Sequence, residues 1–408
     1  MALTRLSQSM TAVTRLHRYH FCLALILSLG VLFSSACSTG ASSTKETGPP
    51  RVELSQELKT KLGPDDGYAL ALMYGADLGG NLDDCGCKAH PMGGLAWRMG
   101  YKEGFRAMTP DVPALQLDAG HMFADAGSSD SGLFLDSIER NKWVLKGYGQ
   151  AGFAAANISA RDAGYLPDIF KKTGFEDRVK ELPFIEKLVS ANVKTSGADL
   201  GQPKEYLIQE IDSKRAGKTV RVGITGVTTG TTPAWTGCVI ESPTEALKRV
   251  VGELRGKSDL VVVMAYAQPQ EVEKLATDVP GIDVLIGAQS GMGGKDVKKI
   301  GQTTVVYTFT QTKELGDLRV YFTPDGKVKD LKNKFVGLDK EIPKDPMAAT
   351  IVADAKTAIE TAQRAQMGTQ GSMPVGPGIS TPQPAAQPAT PAVPPPAPTI
   401  NDLPAKKK

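Results

Sequence analysis

The sequence predicts an α/β protein, on three observations. Short apolar runs bounded by Gly, Asp and Pro recur from Tyr68 to about Asp339, they are rich in β-branched residues, and amphipathic stretches of helical spacing separate them. The runs read as buried strands are Tyr68 to Tyr74, Ala114 to Asp118, Phe153 to Ile158, Thr219 to Val227, Leu260 to Met264, Val284 to Ile286 and Thr304 to Phe309. Helical spacing with a polar face appears over Leu133 to Gly147, Pro243 to Gly256 and Gln270 to Val279. Leu318 to Phe322 and Lys329 to Val336 flank the turn triplet Pro324-Asp325-Gly326 and predict a hairpin. Beyond Pro343, residues Asp345 to Gln366 predict a helix, with Asp345 as cap and Pro346 at the first helical position.

The ends of the chain have a different character. Arg5, Arg15 and Arg18 precede the apolar run Phe21 to Phe33, which is too short to span a bilayer as a helix, and small residues follow it. Residues 1–36 therefore read as a secretory signal. Cys37, directly after Ser34-Ser35-Ala36, resembles the bacterial lipobox cysteine, which implies lipidation and an exported protein held on a membrane; ordinary signal cleavage is the alternative. Residues 37–55 read as a polar tether, and 56–340 as the folded body. Residues 367–408 collapse to Pro, Gln, Ala, Gly and Thr, which cannot offset their ordering entropy, so a disordered arm is expected, either a spacer or a reach toward a cell-wall or envelope partner.

Charge and residue counts exclude some functions. The chain of 408 residues carries 47 Lys and Arg against 44 Asp and Glu, so it has no electrostatic footprint for a nucleic acid polymer. Of four histidines, His17 and His20 fall in the leader, leaving His90 and His121, too few for an ordinary polyhistidine dinuclear metal site. Beyond Cys37 the body has Cys85, Cys87 and Cys238. In an oxidising compartment a bridge or a bound metal is expected for them.

Six segments in order resemble the calcineurin-like metallophosphoesterases of the secreted 5′-nucleotidase type. They are Asp77 to Leu82 (DLGGNL), Gly93 to Arg98 (GGLAWR), Leu117 to Gly120 (LDAG), Arg221 to Thr229 (RVGITGVTT), Val279 to Gly287 (VPGIDVLIG) and Leu315 to Leu318 (LGDL). The resemblance implies a four-layer sandwich of two mixed sheets flanked by helices. It also implies two divalent metals, held by Asp, His and Asn at strand ends, that deliver a hydroxide to phosphorus.

Position by position, Asp77 matches the first aspartate, but Gly79 stands where a histidine is expected and His121 where the bridging aspartate is expected. Ala160 and Arg161 replace the Asn and His of the next motif, Tyr266 replaces a later histidine, and Gly287 to Gly291 lacks the final pair. The family's C-terminal base-stacking domain has no counterpart before the arm.

In place of that site, Asp83-Asp84-Cys85-Gly86-Cys87-Lys88-Ala89-His90 concentrates soft and borderline donors in the loop after the first strand. One expectation is a remodelled metal site of Cys85, Cys87 and His90 completed by His121 or Asp77, favouring zinc or copper. The alternatives are a Cys85–Cys87 bridge, a bridge from either to Cys238, or free thiols. Arg161 with Lys88 makes a candidate site for a small anionic ligand; the competing reading is an ion pair of Arg161 with Asp162 or Asp118. Asp77, His121, Arg161 and Asp162 are the candidate catalytic residues. The function expected is an envelope lipoprotein with a degenerate phosphoesterase domain that binds a metal or small anion through the Cys85 loop. The alternatives are a phosphoester hydrolase with a rebuilt site, or a structural scaffold.

Overall fold

A computed structural model describes residues 48–125, 135–288, 297–309 and 312–370. The leader, Cys37, most of the tether, Gln289 to Gly291 and the arm from residue 371 lie outside the described residues. The chain divides into a unit ending at Gln363 and a remainder beginning at Arg364, whose described part continues the last helix.

The strands are β1 (Leu70–Gly75), β2 (Ala114–Asp118), β3 (Phe153–Asn157), β4 (Leu188–Val189), β5 (Val193–Thr195), β6 (Tyr206–Ser213), β7 (Lys218–Thr228), β8 (Cys238–Ile240), β9 (Leu260–Tyr266), β10 (Val284–Ala288), β11 (Lys298–Ile300), β12 (Thr303–Tyr307), β13 (Glu314–Phe322) and β14 (Val328–Gly337). The helices are α1 (Gln56–Leu62), α2 (Leu95–Met108), α3 (Leu135–Ala151), α4 (Leu166–Phe170), α5 (Phe175–Glu181), α6 (Pro243–Arg255), α7 (Pro269–Asp278) and α8 (Pro346–Gln370). One six-stranded sheet has the order β14-β13-β1-β2-β3-β4 and the other β11-β12-β10-β9-β7-β6; β5 and β8 form a separate ribbon. In each sheet four neighbouring strands run parallel, as helix-bearing crossovers require; antiparallel strands close one edge of the first sheet and both edges of the second.

Alternation along the strands builds the layers. Leu70, Leu72 and Tyr74 of β1 face Val220, Val222 and Ile224 of β7 and Val262 and Met264 of β9 in a buried core between the sheets. The intervening Ala71 and Met73 pack under α1 and α2, and Val261, Val263 and Ala265 under α6 and α7. Four layers result, so the α/β fold and the two-sheet sandwich expected from the sequence are both present. Both faces of β1 and β9 are buried, which is why those strands read as continuous apolar runs rather than alternating ones.

Helix α2 and strand β6 are among the elements that escaped the sequence reading. Helix α2 contains Gly100 and Gly104, which lower helix propensity. Both are demanded by packing: a Cβ would lie 1.8 Å from the Pro343 carbonyl oxygen at the first and 2.6 Å from Leu58 at the second. Strand β6 is half-buried and polar in part, and it holds its place through eight paired positions with β7 rather than by hydrophobicity. At the start of α8, Asp345 Oδ1 accepts from the Ala348 amide at 2.8 Å.

The sheets are tied at their carboxyl ends by buried amides. Asn157 Nδ2 donates to the Ala119 and Val227 carbonyls at 3.0 Å each, joining β3 and the loop after β2 to β7 across the sandwich. Gly226 lets this happen, since a Cβ there would sit 2.1 Å from Asn157 Oδ1.

Candidate functional site

The loops that leave β1 and β2 continue as a hydrogen-bonded pair beyond the strands. Ala119 N donates to Gly75 O, Asp77 N to Gly120 O, Gly79 N to His121 O and Gly80 N to Met122 O, at 2.8 to 3.0 Å. This ladder brings Asp77 and His121 together, and both adopt left-handed backbone, φ 59° and 57°. Asp and His are among the side chains that tolerate this region best, though it is uncommon for any of them. Asp162 fastens the turn. Buried completely, it accepts from the amides of His121 (3.0 Å), Phe123 (2.9 Å) and Ser159 (2.8 Å) and from Ser159 Oγ (2.6 Å). Burial raises its pKa against the pull of His121 and those donors.

Five side chains then form one network at the carboxyl ends of β1, β2, β3 and β9. His121 Nδ1 lies 3.0 Å from Asp77 Oδ1, and the Tyr266 hydroxyl donates to the same oxygen at 2.9 Å. On the other side of the ring, Nε2 lies 3.3 Å from Asp125 Oδ1, yet it is buried and has no hydrogen-bond partner. Arg161 Nε donates to Asp125 Oδ1 at 2.9 Å, and its Nη2 donates to Oδ2. Burial alone would discharge His121, but Asp77, Asp162 and Asp125 outweigh it and raise its pKa. The imidazole thus lies between the Asp77 and Asp125 carboxylates, and the Arg161 guanidinium pairs with the second of them.

This arrangement corrects the expected ion pair: Arg161 pairs with Asp125, not with Asp162 or Asp118. Lys88 makes no ion pair among the described residues. Asp118, buried beneath the turn, accepts from the Gly120 amide at 2.8 Å and the Tyr148 hydroxyl at 2.6 Å, and burial pushes its pKa up to about 7. Arg98 also faces inward, donating to Gln116 Oε1 and the Met73 and Leu117 carbonyls with its guanidinium 4.6 Å from the Phe153 ring centre.

The Cys85 loop is a separate structure. Cys85, Cys87 and Cys238 are all free thiols; Cys238 is buried in β8, whereas Cys87 is exposed and Cys85 partly so. The His90 carbonyl, not its imidazole, is the group near Cys85, 3.9 Å from Sγ. Among the described residues no three His, Cys, Asp or Glu side chains converge as a metal-binding group. The metal site expected from Cys85, Cys87 and His90, completed by His121 or Asp77, is not gathered among the described residues, although Asp77 and His121 meet.

The donor set does not fit the two divalent metals that the resemblance implies. Both His121 nitrogens face carboxylates, a fixed guanidinium and a phenol occupy the cleft, and Gly79 contributes no ligand. A Cβ at Gly79 would meet His121 Cε1 at 3.7 Å, so this imidazole fills the space beside the position where the histidine is expected. Asp125 was not legible in advance. It lies four residues past His121 in an irregular loop, and only the fold brings it to Arg161.

A cavity of about 270 Å³ lies between the Gly80 to Asp83 loop, α3 and α8, lined among others by Trp143, Arg140, Lys356 and Ile359. None of the five network residues lines it.

Comparison with solved structures identifies the architecture. Thermus thermophilus sulfate thiohydrolase SoxB, in complex with glycerol, is 14% identical and matches 75% of this chain and 62% of its own, with TM-score 0.57. A 5′-nucleotidase precursor, also from Thermus thermophilus, is 20% identical over 74% and 59%, with TM-score 0.54. The calcineurin-like phosphoesterase YfkN from Bacillus subtilis is 18% identical over 72% and 98%, again at 0.54. The chain thus spans about three fifths of the length of the first two. No family model and no curated relative matches the sequence. The chain has a metallophosphoesterase fold. That fold is similar to the ones seen in the 5′-nucleotidase precursor and in YfkN.

Proposed function

We propose that this is an exported, lipid-anchored envelope protein that uses a phosphoesterase-type fold to bind a small oxyanion rather than to hydrolyse one. The observation that carries the reading is the His121–Asp125–Arg161 arrangement. A buried imidazole nitrogen without a hydrogen-bond partner and a planar guanidinium face one carboxylate, and that carboxylate is half exposed. Asp125 thereby stands in for a carboxylate or phosphate ligand: an incoming oxyanion can take the Arg161 fork and the Nε2–H of a charged His121 while Asp125 turns to solvent. Asp77 and Tyr266 hold the imidazole and take no part in bond breaking. No helix among the described residues is long and apolar enough to cross a membrane; the anchor proposed is a lipid on Cys37, on its resemblance to the lipobox cysteine.

Titration calorimetry with inorganic phosphate tests the reading, alongside p-nitrophenyl phosphate assays in zinc, manganese and cobalt. Saturable binding that Arg161→Ala weakens at least tenfold, without turnover, is the expected result. Metal-dependent turnover that Asp77→Ala abolishes would establish a rebuilt hydrolase instead. Failure of Cys37→Ser to release the protein from membranes would remove the anchor.

A further inference from the structure

The Cys85 loop is built around one sulfur. Asn81 Oδ1 accepts from Asp83 N (3.2 Å), Asp83 Oδ1 from Asp84 N (2.8 Å) and Asp84 Oδ1 from Gly86 N (2.9 Å), which winds the chain into consecutive tight turns. Gly86 has φ +70°, and the loop closes where Cys85 N donates to Met92 O at 2.9 Å. Backbone hydrogen bonding from Cys87 and Met92 lowers the Cys85 pKa and so favours the thiolate, the nucleophilic form. Cys87, one glycine away, is exposed. Gly86 has nothing within 4 Å on its Cβ side, so the pair is open to another molecule.

We propose that Cys85 and Cys87 form a thiol–disulfide exchange pair, with Cys85 the attacking sulfur, Cys87 the resolving one, and an exposed disulfide or dithiol of another exported polypeptide as substrate. In the reducing direction the Cys85 thiolate attacks one sulfur of the substrate disulfide, and the other substrate sulfur leaves as a thiolate. Cys87 then gives its proton to solvent and attacks Cys85 Sγ, forming the Cys85–Cys87 bond and expelling the second substrate thiolate. Two electrons pass from the loop dithiol to the substrate disulfide. A bond across Cys-Gly-Cys closes a small strained ring and is readily reduced, so the same steps also run in reverse, from the loop disulfide to a substrate dithiol. Cys238 cannot serve as resolving thiol: it is buried, and burial pushes its pKa up. This activity is independent of the anion cleft, and Arg161→Ala leaves it intact.

The test uses the full chain, purified reduced and exposed to oxidised glutathione, with mass spectrometry as readout. Wild type is expected to lose two hydrogen atoms and carry no adduct, Cys87→Ser to trap one glutathione on Cys85, and Cys85→Ser to form its adduct several-fold more slowly. Limiting iodoacetamide at fixed pH should modify Cys85 ahead of Cys87. Equal rates at the two sulfurs would overturn the assignment, as would a stable glutathione adduct on wild type. Stoichiometric zinc or copper that blocks both thiols until it is chelated would overturn it too, in favour of a metal site.

Discussion

Replacing Asp118 by Asn isolates the electrostatics beneath the His121 turn. The carboxyl is fully buried, held by the Tyr148 hydroxyl and the Gly120 amide, and burial lifts its pKa from 3.8 to about 7. A folded state that keeps a proton the unfolded chain has released is stabilised at low pH. The contribution is full below the unfolded pKa and is lost as pH climbs through the folded one, so the window runs from 3.8 to about 7. At about 1.4 kcal/mol for each tenfold change in proton affinity, the loss approaches about 4 kcal/mol across the window. Asn presents the same shape and cannot ionise; its Oδ1 keeps the Gly120 amide, and its Nδ2 faces Tyr148. Urea unfolding of both proteins between pH 4 and pH 8 should show wild type losing stability relative to Asp118→Asn by up to that amount, because the other buried carboxyls titrate equally in both. Parallel curves would refute the argument and place an ionised Asp118 in the fold at neutral pH.

Other substitutions probe the packing and the cleft. Gly316→Ala puts a methyl 2.1 Å from the Tyr74 ring and should cost about 1–3 kcal/mol or more by thermal denaturation. Asp317 accepts from Tyr101 at 2.5 Å and pairs with the buried Arg319, so Asp317→Ala strands a cation and should lose about 3–5 kcal/mol, while Asp317→Leu with Arg319→Met recovers much of it. Leu72→Ala opens a void between the sheets and should cost about 2–5 kcal/mol in urea unfolding. Asp125→Ala removes the internal competitor at Arg161; phosphate affinity measured by calorimetry should rise, and a fall would show Asp125 to be part of the binding surface rather than a stand-in.

The residue pattern by itself determined the alternation of strands and helices. The central strands are buried on both faces and the helices on one, so burial writes itself into local composition at β1, β2, β3, β7, β9 and β10. The same pattern carried the missing ligands, because Gly79, Ala160 and Arg161 can be read as residue types without knowing where they point. Segments read as family signatures proved to hold the scaffold: in LGDL, Gly316 makes room for Tyr74, and Asp317 anchors Arg319 and Tyr101. Only the tertiary structure decided which side chains gather at the strand ends. Contacts between residues 77, 121, 125, 161 and 266 depend on the order of strands in two sheets and on the ladder between the β1 and β2 loops, neither of which has a local signature. Likewise, the Cys85 loop donors are not gathered with Asp77 and His121 into a metal site among the described residues. Proximity in sequence gathers donors into one segment, but coordination and catalysis require them to share a point in space, and backbone hydrogen bonds decide that.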